Sequence, residues 1–354
     1  MSGSSLDGLD IVFTHLEESR GAWKFDIKNT ECIPYSEEWK HVLKTAKNQP
    51  VSHFLLLHTR YGKYLAECVL AFIEKNSLHH QIDFIASHGH TVFHDPAQHT
   101  SVQIGCGATL SAHTQLPVIS DLRSMDVALG GQGAPIVPIG DRLLFSEYDY
   151  LLNIGGIVNI SIKKENTVAA FDVCTGNQAL NILAQRIGKD MDENGAMARE
   201  GRWLGGVFDA LNMQEYFHGK APKSLSNEAA QALVFPILME SEHDTPDLLH
   251  TVVKHIAEQV YQAILQHRTE STSGQMLLTG GGGFNTFLVE EIAEKLQPLG
   301  ITVVVPDEAI VKYKEALVMA LIGALRWREE VNVLSSVTGA KQDSIGGALW
   351  MGQR

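Results

Sequence analysis

The segment Met1-Ser2-Gly3-Ser4-Ser5-Leu6-Asp7-Gly8-Leu9-Asp10 is rich in glycine, serine and aspartate, and it runs directly into the apolar stretch Ile11-Val12-Phe13. A turn of this kind offers backbone N–H groups, hydroxyls and a carboxylate within a few residues, which are the groups that hold a nucleotide's phosphates and magnesium. No Gly-Lys-Ser/Thr follows the glycines, so the segment is not a Walker motif. The same residues are common in ordinary β-turns, and the pattern alone leaves both interpretations open.

The composition indicates a globular protein of about two domains. Of its 354 residues, 44% are hydrophobic and 19% are charged, and the net charge is −13. This acidic balance leaves no basic stripe for a phosphate backbone, so we expect no nucleic-acid partner. No apolar run is long enough to span a bilayer, and we expect no membrane partner. The four cysteines are scattered and never form Cys-x-x-Cys, which favours a reducing, cytoplasmic location.

Strand-like and helix-like stretches alternate along the chain, which predicts an α/β protein. The longest helix is predicted from Asp247 to about Arg268, and a final helix is predicted over Ala316–Arg328. The Gly- and Pro-dense stretch Gly130–Gly140 predicts a hinge between two lobes. We therefore expect a first lobe over residues 1–140, to which residues from about 331 to 354 return, and a second lobe over residues 141–330.

Glycine-rich turns are predicted at three strand ends, namely Gly3–Gly8, Gly155-Gly156 and Gly280-Gly281-Gly282-Gly283. The last turn follows the predicted strand Met276–Thr279 and precedes a predicted helix over Phe284–Leu296. Four consecutive glycines cost backbone entropy, and a glycine turn before a helix lets the backbone approach a nucleotide closely. The pattern favours nucleotide contact, although its spacing and its place near the C-terminus do not match a dinucleotide-binding fingerprint.

Polar segments also follow predicted strands. Asp172 follows the predicted strand Val168–Phe171, where it would serve either as a general base or as the cap of the next helix. Arg123 would either clamp a carboxylate or phosphate or join a structural ion pair. The histidines of the segment that includes Ser87–Thr91 have no metal-site spacing, so we expect them to contact solvent or substrate; they are His88, His90, His94 and His99.

Together these motifs resemble the anhydro-N-acetylmuramic acid kinases, members of the sugar kinase, actin and heat-shock chaperone ATPase superfamily. The combination of the opening segment with Gly-Gly-Gln-Gly-Ala-Pro at residues 130–135 is specific. The matching segments follow one another over nearly the whole chain: Met1–Asp10, Ser87–Thr91, Gln103–Gly105, Asp121–Pro135, Asn153–Asn159, Phe171–Asn177, Pro222–Ser224, Gly281–Asn285, Glu315-Ala316 and Val337–Ala340.

The resemblance implies two ribonuclease-H-like lobes with an ATP cleft between them, which is an actin-like ATPase fold. It implies an ATP-dependent phosphotransferase with an alcohol group as acceptor. Such an enzyme opens the 1,6-anhydro ring of anhydro-N-acetylmuramic acid with water and phosphorylates O6. The products are N-acetylmuramic acid 6-phosphate and ADP, in the recycling of cell-wall sugars. The resemblance also suggests a homodimer.

The resemblance carries residue roles onto matching positions. Asp172 becomes the catalytic base, and Glu315 a second acid near the nucleotide. Asp7 faces magnesium. The residues expected to lie against adenosine are Gly281, Gly282 and Gly283. The remaining cofactor-binding candidates are Gly3, Ser4, Ser5, Leu6, Gly8, Leu9, Asp10, Gly155 and Gly156. The candidate sugar contacts are Ser87, His88, His90, Thr91, Arg123, Gln132 and Gly133.

The chain departs from the family pattern at several positions. Serines replace a usual threonine at position 4 or 5, and His90 replaces a glutamine. Val173-Cys174-Thr175 stands where Thr-Gly-Pro is common, and Leu225-Ser226-Asn227 stands where Thr-Gly-Arg is usual. The pattern also carries a short strand ahead of the position of Met1, which predicts an unpaired neighbouring strand. These departures leave two alternatives: a hexose kinase of the same superfamily, or a non-catalytic relative that binds nucleotide or glycan.

Overall fold

The computed structural model describes residues 1–3, 6–164, 167–219, 223–267 and 273–352. The chain forms two compact units. Unit 1 comprises Met1–Phe145 and Tyr313–Arg354, and unit 2 comprises Ser146–Lys312. The sequence placed the boundaries between the lobes after residues 140 and 330. The two units divide after Phe145 and after Lys312. Within the described ranges no helix is long and apolar enough to cross a membrane.

Unit 1 begins with a long antiparallel hairpin and continues through helices and short strands. Its first elements are β1 (Gly8–Ser19), β2 (Ala22–Pro34), α1 (Glu37–Thr45), α2 (Val51–Lys75), β3 (Ile85–Ala86), β4 (His90–Asp95), β5 (Thr100–Ile104), α3 (Gly107–Thr114), β6 (Val118–Ser120), α4 (Ser124–Ala128) and α5 (Pro138–Leu143). The β1–β2 hairpin turns at Arg20-Gly21, where both residues have positive φ, as the twist of a two-residue hairpin loop requires.

The longest helix in the described part of the chain is α2, with 25 residues, whereas α11 (Thr245–His267) has 23. The sequence placed the longest helix at Asp247–Arg268, and because α11 reaches the end of a described range at His267, this ranking stays a prediction. The first turns of α2 carry exposed apolar side chains such as Val51 and Leu55, 76% and 60% exposed. These exposed side chains form no apolar stripe that faces the core, so the helical periodicity of the sequence is weak in the first turns of α2.

Unit 2 is built on one five-stranded sheet. Its elements are β7 (Tyr150–Ile154), β8 (Ile157–Lys164), β9 (Thr167–Thr175), α6 (Asn177–Gln185), α7 (Ala196–Glu200), α8 (Gly205–Asn212), α9 (Glu215–His218), α10 (Asn227–Met239), α11, β10 (Gly274–Thr279), α12 (Thr286–Leu296) and β11 (Ile301–Val304). The strand order is β11-β10-β7-β8-β9, in which β7, β8 and β9 are antiparallel neighbours and β10 is parallel to β7 and β11. This is the ribonuclease-H-like sheet that the resemblance implies.

Helix α11 supplies much of the core of unit 2. An apolar stripe is buried along its length and consists of Leu249, Val252, Val253, Ile256, Val260 and Ile264. Burial of such a stripe stabilises the helix more than its intrinsic propensity does. The predicted helix end at Arg268 lies outside the described residues.

The chain then returns to unit 1 through α13 (Glu308–Trp327), α14 (Ser335–Thr338) and β12 (Ala348–Trp350). Helix α13 begins eight positions before the predicted start at Ala316, because the Asp307 carboxylate accepts the N–H of Ile310 at 2.9 Å and caps the helix there. Strand β12 pairs antiparallel with β6, and β6 pairs parallel with β3, to form one sheet of unit 1. In the described part of the chain, β1 has β2 as its strand partner, apart from one bridge between Ser2 and Leu9.

We expect Leu183→Ala to lower the free energy of unfolding by about 2–5 kcal/mol, because it leaves a cavity in a close-packed core. Leu183 lies on α6 and is fully buried in unit 2. Met213→Ala is the control, since Met213 is 76% exposed, and a change of less than about 0.5 kcal/mol is expected there. Urea denaturation of the full chain measures both, and equal losses would contradict the assigned core.

Candidate active site

The candidate residues fall into two clusters, one in each unit. The opening turn belongs to unit 1, where Asp10 donates its N–H to the Met1 carbonyl at 2.9 Å and Asp7 accepts the Gly8 N–H at 3.0 Å. A Cβ on Gly8 would lie 2.8 Å from the Ile33 carbonyl oxygen, so this close approach requires glycine. The Leu9 side chain packs into the core, and its backbone is paired with Ile33 of β2 and bridged to Ser2. Ser4 and Ser5 lie outside the described residues.

Two acids in unit 1 have raised pKa values. Burial raises the pKa of Asp10, while a hydrogen bond from Cys32 opposes the shift. Glu315 on α13 is open to solvent, but the surrounding protein displaces much of its hydration and raises its pKa. The charge of Arg123 opposes the shift of Glu315, and that of Asp10 adds to it. Paired acids of this kind are typical of sites that take a cation or a proton.

The residue before Glu315 anchors its helix. The Lys314 ammonium lies 2.7 Å from Asp141 Oδ1, and both side chains are buried. The same ammonium stands over the Phe145 ring at 5.4 Å. A buried ion pair of this geometry is costly to break from one side, so it fixes the part of α13 that carries Glu315.

Arg123 is held by two partners on the protein. Its Nε donates to His88 Nε2 at 2.9 Å, and its Nη1 donates to the Gly133 carbonyl. Burial lowers the pKa of Arg123 to about 10, so the guanidinium remains charged at neutral pH. His88 is 3% exposed, and burial together with the charge of Arg123 lowers its pKa to about 3. The neutral His88 ring therefore positions Arg123.

The loop over residues 131–135 depends on Asp126, which is 1% exposed. Asp126 Oδ2 accepts the Gly133 N–H at 2.7 Å, and Oδ1 accepts the Thr338 hydroxyl at 2.6 Å. The Gln132 N–H donates to the Thr338 carbonyl at 2.9 Å, which leaves the Gln132 side chain exposed. Asp126 and Thr338 lie in matching segments of the sequence, but the sequence predicted no role for either.

The other members of the Ser87–Thr91 segment differ in exposure. Ser87 continues the pairing of β3 with β6 through its N–H, 2.8 Å from the Ile119 carbonyl. His90 is buried, and its Nδ1 lies 2.9 Å from Ser2 Oγ. Thr91 is exposed and accepts a hydrogen bond from Gln103 Nε2 at 3.3 Å. The structure thus brings this segment together with Arg123 and Gly133 in unit 1.

Asp172 lies inside strand β9, paired with Asn159, whereas the sequence placed it after the end of the strand. The difference arises at an irregularity between Val158 and Asn159, where the ladder shifts register and the strand continues. The Thr175 hydroxyl beyond it is buried and donates to the Ala230 carbonyl at 3.0 Å.

The Asp172 carboxylate is held from one side. Its Oδ2 accepts the Leu225 N–H at 2.8 Å and the Ser224 hydroxyl at 3.1 Å, and in the described part of the chain Oδ1 has no hydrogen-bond partner. Burial raises the pKa of Asp172, while these two bonds oppose the shift. Residue 225 contributes its backbone N–H to this contact, and its leucine side chain is buried.

Two further residues hold the segment that carries Ser224. The Asp172 N–H donates to the Lys223 carbonyl at 3.1 Å, and the Tyr216 hydroxyl donates to the Asp172 carbonyl at 2.7 Å. The Lys223 ammonium stands over the Tyr216 ring at 4.6 Å, a cation–π contact. The sequence assigned no role to Tyr216. Pro222, a residue of the matching pattern, lies outside the described residues.

The glycine turns of unit 2 meet at the end of β7. Gly155 and Gly156 form the β7–β8 turn, and their carbonyls accept the N–H groups of Asn177 and Gly176, each at 2.8 Å. A Cβ on Gly280 would lie 2.7 Å from the Ile154 carbonyl oxygen. These turns lie at the start of α6, and the N–H groups of Gly155, Gly176, Asn177 and Gly280 are bonded to carbonyls of the protein.

The three glycines expected to lie against adenosine differ in what they face. Residues 281–284 form a 3₁₀ turn, so α12 starts at Thr286 and not at the predicted Phe284. Gly281 is exposed and Gly283 is half-buried, whereas Gly282 is buried. A Cβ on Gly282 would overlap the Ile154 side chain, so this glycine is required by close packing against β7. Gly282 thus packs against the protein, and its neighbours Gly281 and Gly283 are the more accessible positions. The contact of these three glycines with adenosine stays a prediction.

The sequence model of the family described as anhydro-N-acetylmuramic acid kinase matches residues 1–352. The chain belongs to this family. Anhydro-N-acetylmuramic acid kinase of Bacillus cereus strain G9842 is 31% identical over 373 residues, covering 99% of this chain and 97% of that protein. The protein of the same name from Bacillus thuringiensis strain Al Hakam is 29% identical over 373 residues, covering 99% of this chain and 96% of that protein.

Among solved structures, the activator of the 2-hydroxyisocaproyl-CoA dehydratase from Clostridium difficile, with bound ADPNP, gives a TM-score of 0.37 at 18% identity, covering 65% of this chain and 86% of that chain. The family match confirms the predicted family and makes the chain a kinase. The alternative of a hexose kinase is not favoured.

We expect Asp126→Ala to destabilise the protein by about 1–3 kcal/mol for each partner left unsatisfied, because the Gly133 N–H and Thr338 hydroxyl lose a buried acceptor. Asp121→Asn is the control, since Asp121 is exposed and surface changes usually alter stability by less than about 0.5 kcal/mol. Thermal unfolding measures both variants. An Asp126→Ala variant as stable as the wild type would refute the anchoring role.

Proposed function

We propose that this kinase opens the 1,6-anhydro ring of anhydro-N-acetylmuramic acid with water and transfers the γ-phosphate of ATP to O6. The observation that carries the proposal is the Asp172 carboxylate, which is held at Oδ2 by two donors while Oδ1 has no partner in the described chain. A carboxylate fixed in this way has one oxygen oriented for a water molecule. Its raised pKa suits a general base.

One base is enough to account for every proton and bond in this reaction. Asp172 takes a proton from water, and the water oxygen bonds to the anomeric carbon as the bond from that carbon to O6 breaks. O6 bonds to the γ-phosphorus, and the bond from that phosphorus to the bridging oxygen of ADP breaks. The proton on Asp172 passes to solvent, so the products are N-acetylmuramic acid 6-phosphate and ADP, which fits a role in cell-wall recycling.

Unit 1 supplies the sugar contacts in this proposal. Arg123 is charged and is held by His88 and the Gly133 carbonyl, so its remaining N–H groups suit the lactyl carboxylate of the sugar. The exposed side chains of Thr91 and Gln132 suit its hydroxyl groups. Ser87 and Gly133 would shape the loops around them.

The glycine turns supply the nucleotide contacts. Gly281 and Gly283 would lie against adenosine, with the buried Gly282 holding their turn on β7. In unit 2, Gly155-Gly156 would lie near the phosphates. The same role for the opening turn of unit 1 stays a prediction from the sequence.

Magnesium normally takes one or two carboxylates, with waters and phosphates completing its shell. The described residues hold no group of three or more His, Cys, Asp or Glu that would bind a metal unaided, which agrees with that mode. Asp7, with Asp10 beside it, would hold the ion, and magnesium would neutralise the transferring phosphate.

Several features stay predictions from the sequence. They are the cytoplasmic location, the assembly as a homodimer, and the lack of nucleic-acid and membrane partners. The family match does not favour the non-catalytic alternative.

Asp172→Asn should abolish turnover while ATP and the anhydro sugar still bind, because the amide keeps the side-chain shape but accepts no proton. A loss of at least about 10²–10⁴-fold is expected for a general base. ADP release and calorimetric titration with each ligand are the measurements, and Asp209→Asn, at an exposed acid of α8, is the control. Near-normal turnover of Asp172→Asn would remove Asp172 from the chemistry.

Reaction in heavy-oxygen water tests the coupled hydrolysis. Mass spectrometry should place the label on the anomeric oxygen of the 6-phosphate product. Unlabelled product would show that phosphate transfer occurs without ring opening by water. Binding of ATP and sugar by the wild type with no turnover would favour the non-catalytic alternative, and ADP release with glucose would favour a hexose kinase.

Ser224→Ala should move the acidic limb of the kcat–pH profile to higher pH. The Ser224 hydroxyl lowers the pKa of Asp172, so its removal raises that pKa, and the base is protonated at a higher pH. Activity at low pH therefore falls more than activity at neutral pH. Ser224→Thr keeps the hydroxyl and should restore the wild-type limb, and an unshifted limb in Ser224→Ala would show that another group sets it.

A further inference from the structure

One polar side chain from each of three neighbouring strands lies in a single row across the sheet of unit 2. Asn153 of β7 is paired with Asn159 of β8, and Asn159 is paired with Asp172 of β9. Directly opposite residues of antiparallel strands point to the same face of a sheet, with Cβ atoms about 4.5–5.5 Å apart. Asn159 is therefore the residue of β8 that stands beside the carboxylate proposed as the general base.

The row lies on the face of the sheet that points away from the core containing α11. The apolar neighbours of the three residues along their strands are buried in that core, namely Leu152, Ile154, Val158, Ile160, Phe171 and Val173. Since successive residues of a strand point to opposite faces, the polar side chains point the other way. All three are half-buried there.

The members of this row keep polar atoms free for a ligand. In the ranges that the structure describes, neither asparagine amide has a hydrogen-bond partner, and neither is among the polar atoms sealed from solvent. Asp172 Oδ1 is free in the same way. The next residue of the row, Thr279 of β10, instead bonds the Leu152 carbonyl with its hydroxyl at 3.5 Å. Half-buried polar groups without a protein partner require water or a ligand.

The attacking water needs more than a base. It gives one proton to Asp172 Oδ1, but a single contact leaves the molecule free to rotate about that bond. A second acceptor for its other proton aims the remaining lone pair at the anomeric carbon. The side-chain carbonyl oxygen of Asn159 is such an acceptor, and a Cβ separation of about 5 Å lets one water bridge the two side chains.

We propose that Asn159 is a further catalytic residue, whose Oδ1 accepts the second proton of the attacking water while Asp172 takes the first. The inference rests on the proposed function for the reaction itself. Only a hydrogen bond forms at Asn159, so the second proton stays on the water oxygen and ends in the anomeric hydroxyl. The two acceptors together select water over an alcohol, because an alcohol has one hydroxyl proton and cannot satisfy both.

Steady-state kinetics of Asn159→Ala tests the contact. We expect kcat to fall about tenfold, the scale of one hydrogen bond, with the KM for ATP and for the sugar unchanged, because the lost partner is water. The acidic limb of the kcat–pH profile should stay in place, since Asn159 does not bond Asp172. Tyr216 and Lys223, the titratable groups packed against Asp172, are the same in both proteins.

Ser161→Ala is the matched control for this variant. Ser161 lies on the same strand and face as Asn159, opposite Ala170, and its removal should leave kcat unchanged. An unchanged kcat in Asn159→Ala would overturn the proposal. An acidic limb moved to higher pH would also overturn it, because that shift would show Asn159 donating to Asp172.

Asn159→Asp tests the acceptor role by rescue. It keeps an oxygen acceptor at the same position, so kcat above the acidic limb should recover most of what Asn159→Ala loses. The limb itself should move to higher pH, because a second negative charge raises the pKa of Asp172. If kcat stays as low as in Asn159→Ala at every pH, the assignment of the Oδ1 acceptor is refuted.

Product partition in water containing methanol measures the selectivity directly. Mass spectrometry gives the ratio of N-acetylmuramic acid 6-phosphate to its methyl glycoside. Asn159→Leu keeps a similar side-chain size but accepts no hydrogen bond, so the ratio should fall about tenfold from that of the wild type. An unchanged ratio, with Asp172→Asn inactive, would refute the role of Asn159 alone, whereas full turnover by Asp172→Asn would refute the proposed function.

Discussion

The buried carboxylate of Asp126 is the contact on which the candidate site of unit 1 depends. It joins the loop at Gly133 to Thr338, two segments about two hundred residues apart in the chain. The same loop offers the carbonyl that Arg123 binds. Because a buried carboxylate is costly without its donors, the loop and α14 stay bound to it, and the position of Arg123 follows from that attachment.

Asp172 in unit 2 shows what distinguishes a reactive acid from an anchoring one. Both oxygens of Asp126 have partners, whereas Asp172 uses one oxygen to hold the segment at Ser224 and Leu225. Its place in the middle of β9, with Tyr216 bound to its carbonyl, keeps the backbone rigid behind it. Partial burial then raises its pKa, so rigidity and proton affinity arise from the same packing.

The sequence predicted best those features that depend on near neighbours in the chain. The strands around Gly155-Gly156, the strand before Gly280 and the buried stripe of α11 are all present, because hydrophobic period and glycine turns are local signals. The prediction from sequence failed where the local signal was weak or where contacts with other parts of the chain overrode it. The start of α13 depends on one capping aspartate, and the continuation of β9 past Asp172 depends on the register of its neighbour β8. Within the run of four glycines, the packing of Gly282 against Ile154 is a long-range contact that the sequence did not indicate.

By itself the sequence determined the α/β class, the family and the set of polar residues at strand ends, because motif and periodicity are properties of the linear chain. Only the tertiary structure decided what those residues do. His88 positions Arg123, His90 meets Ser2, and Asp126 anchors a loop. These roles depend on which donors meet which acceptors and on how much water surrounds them, and both follow from contacts between residues distant in sequence.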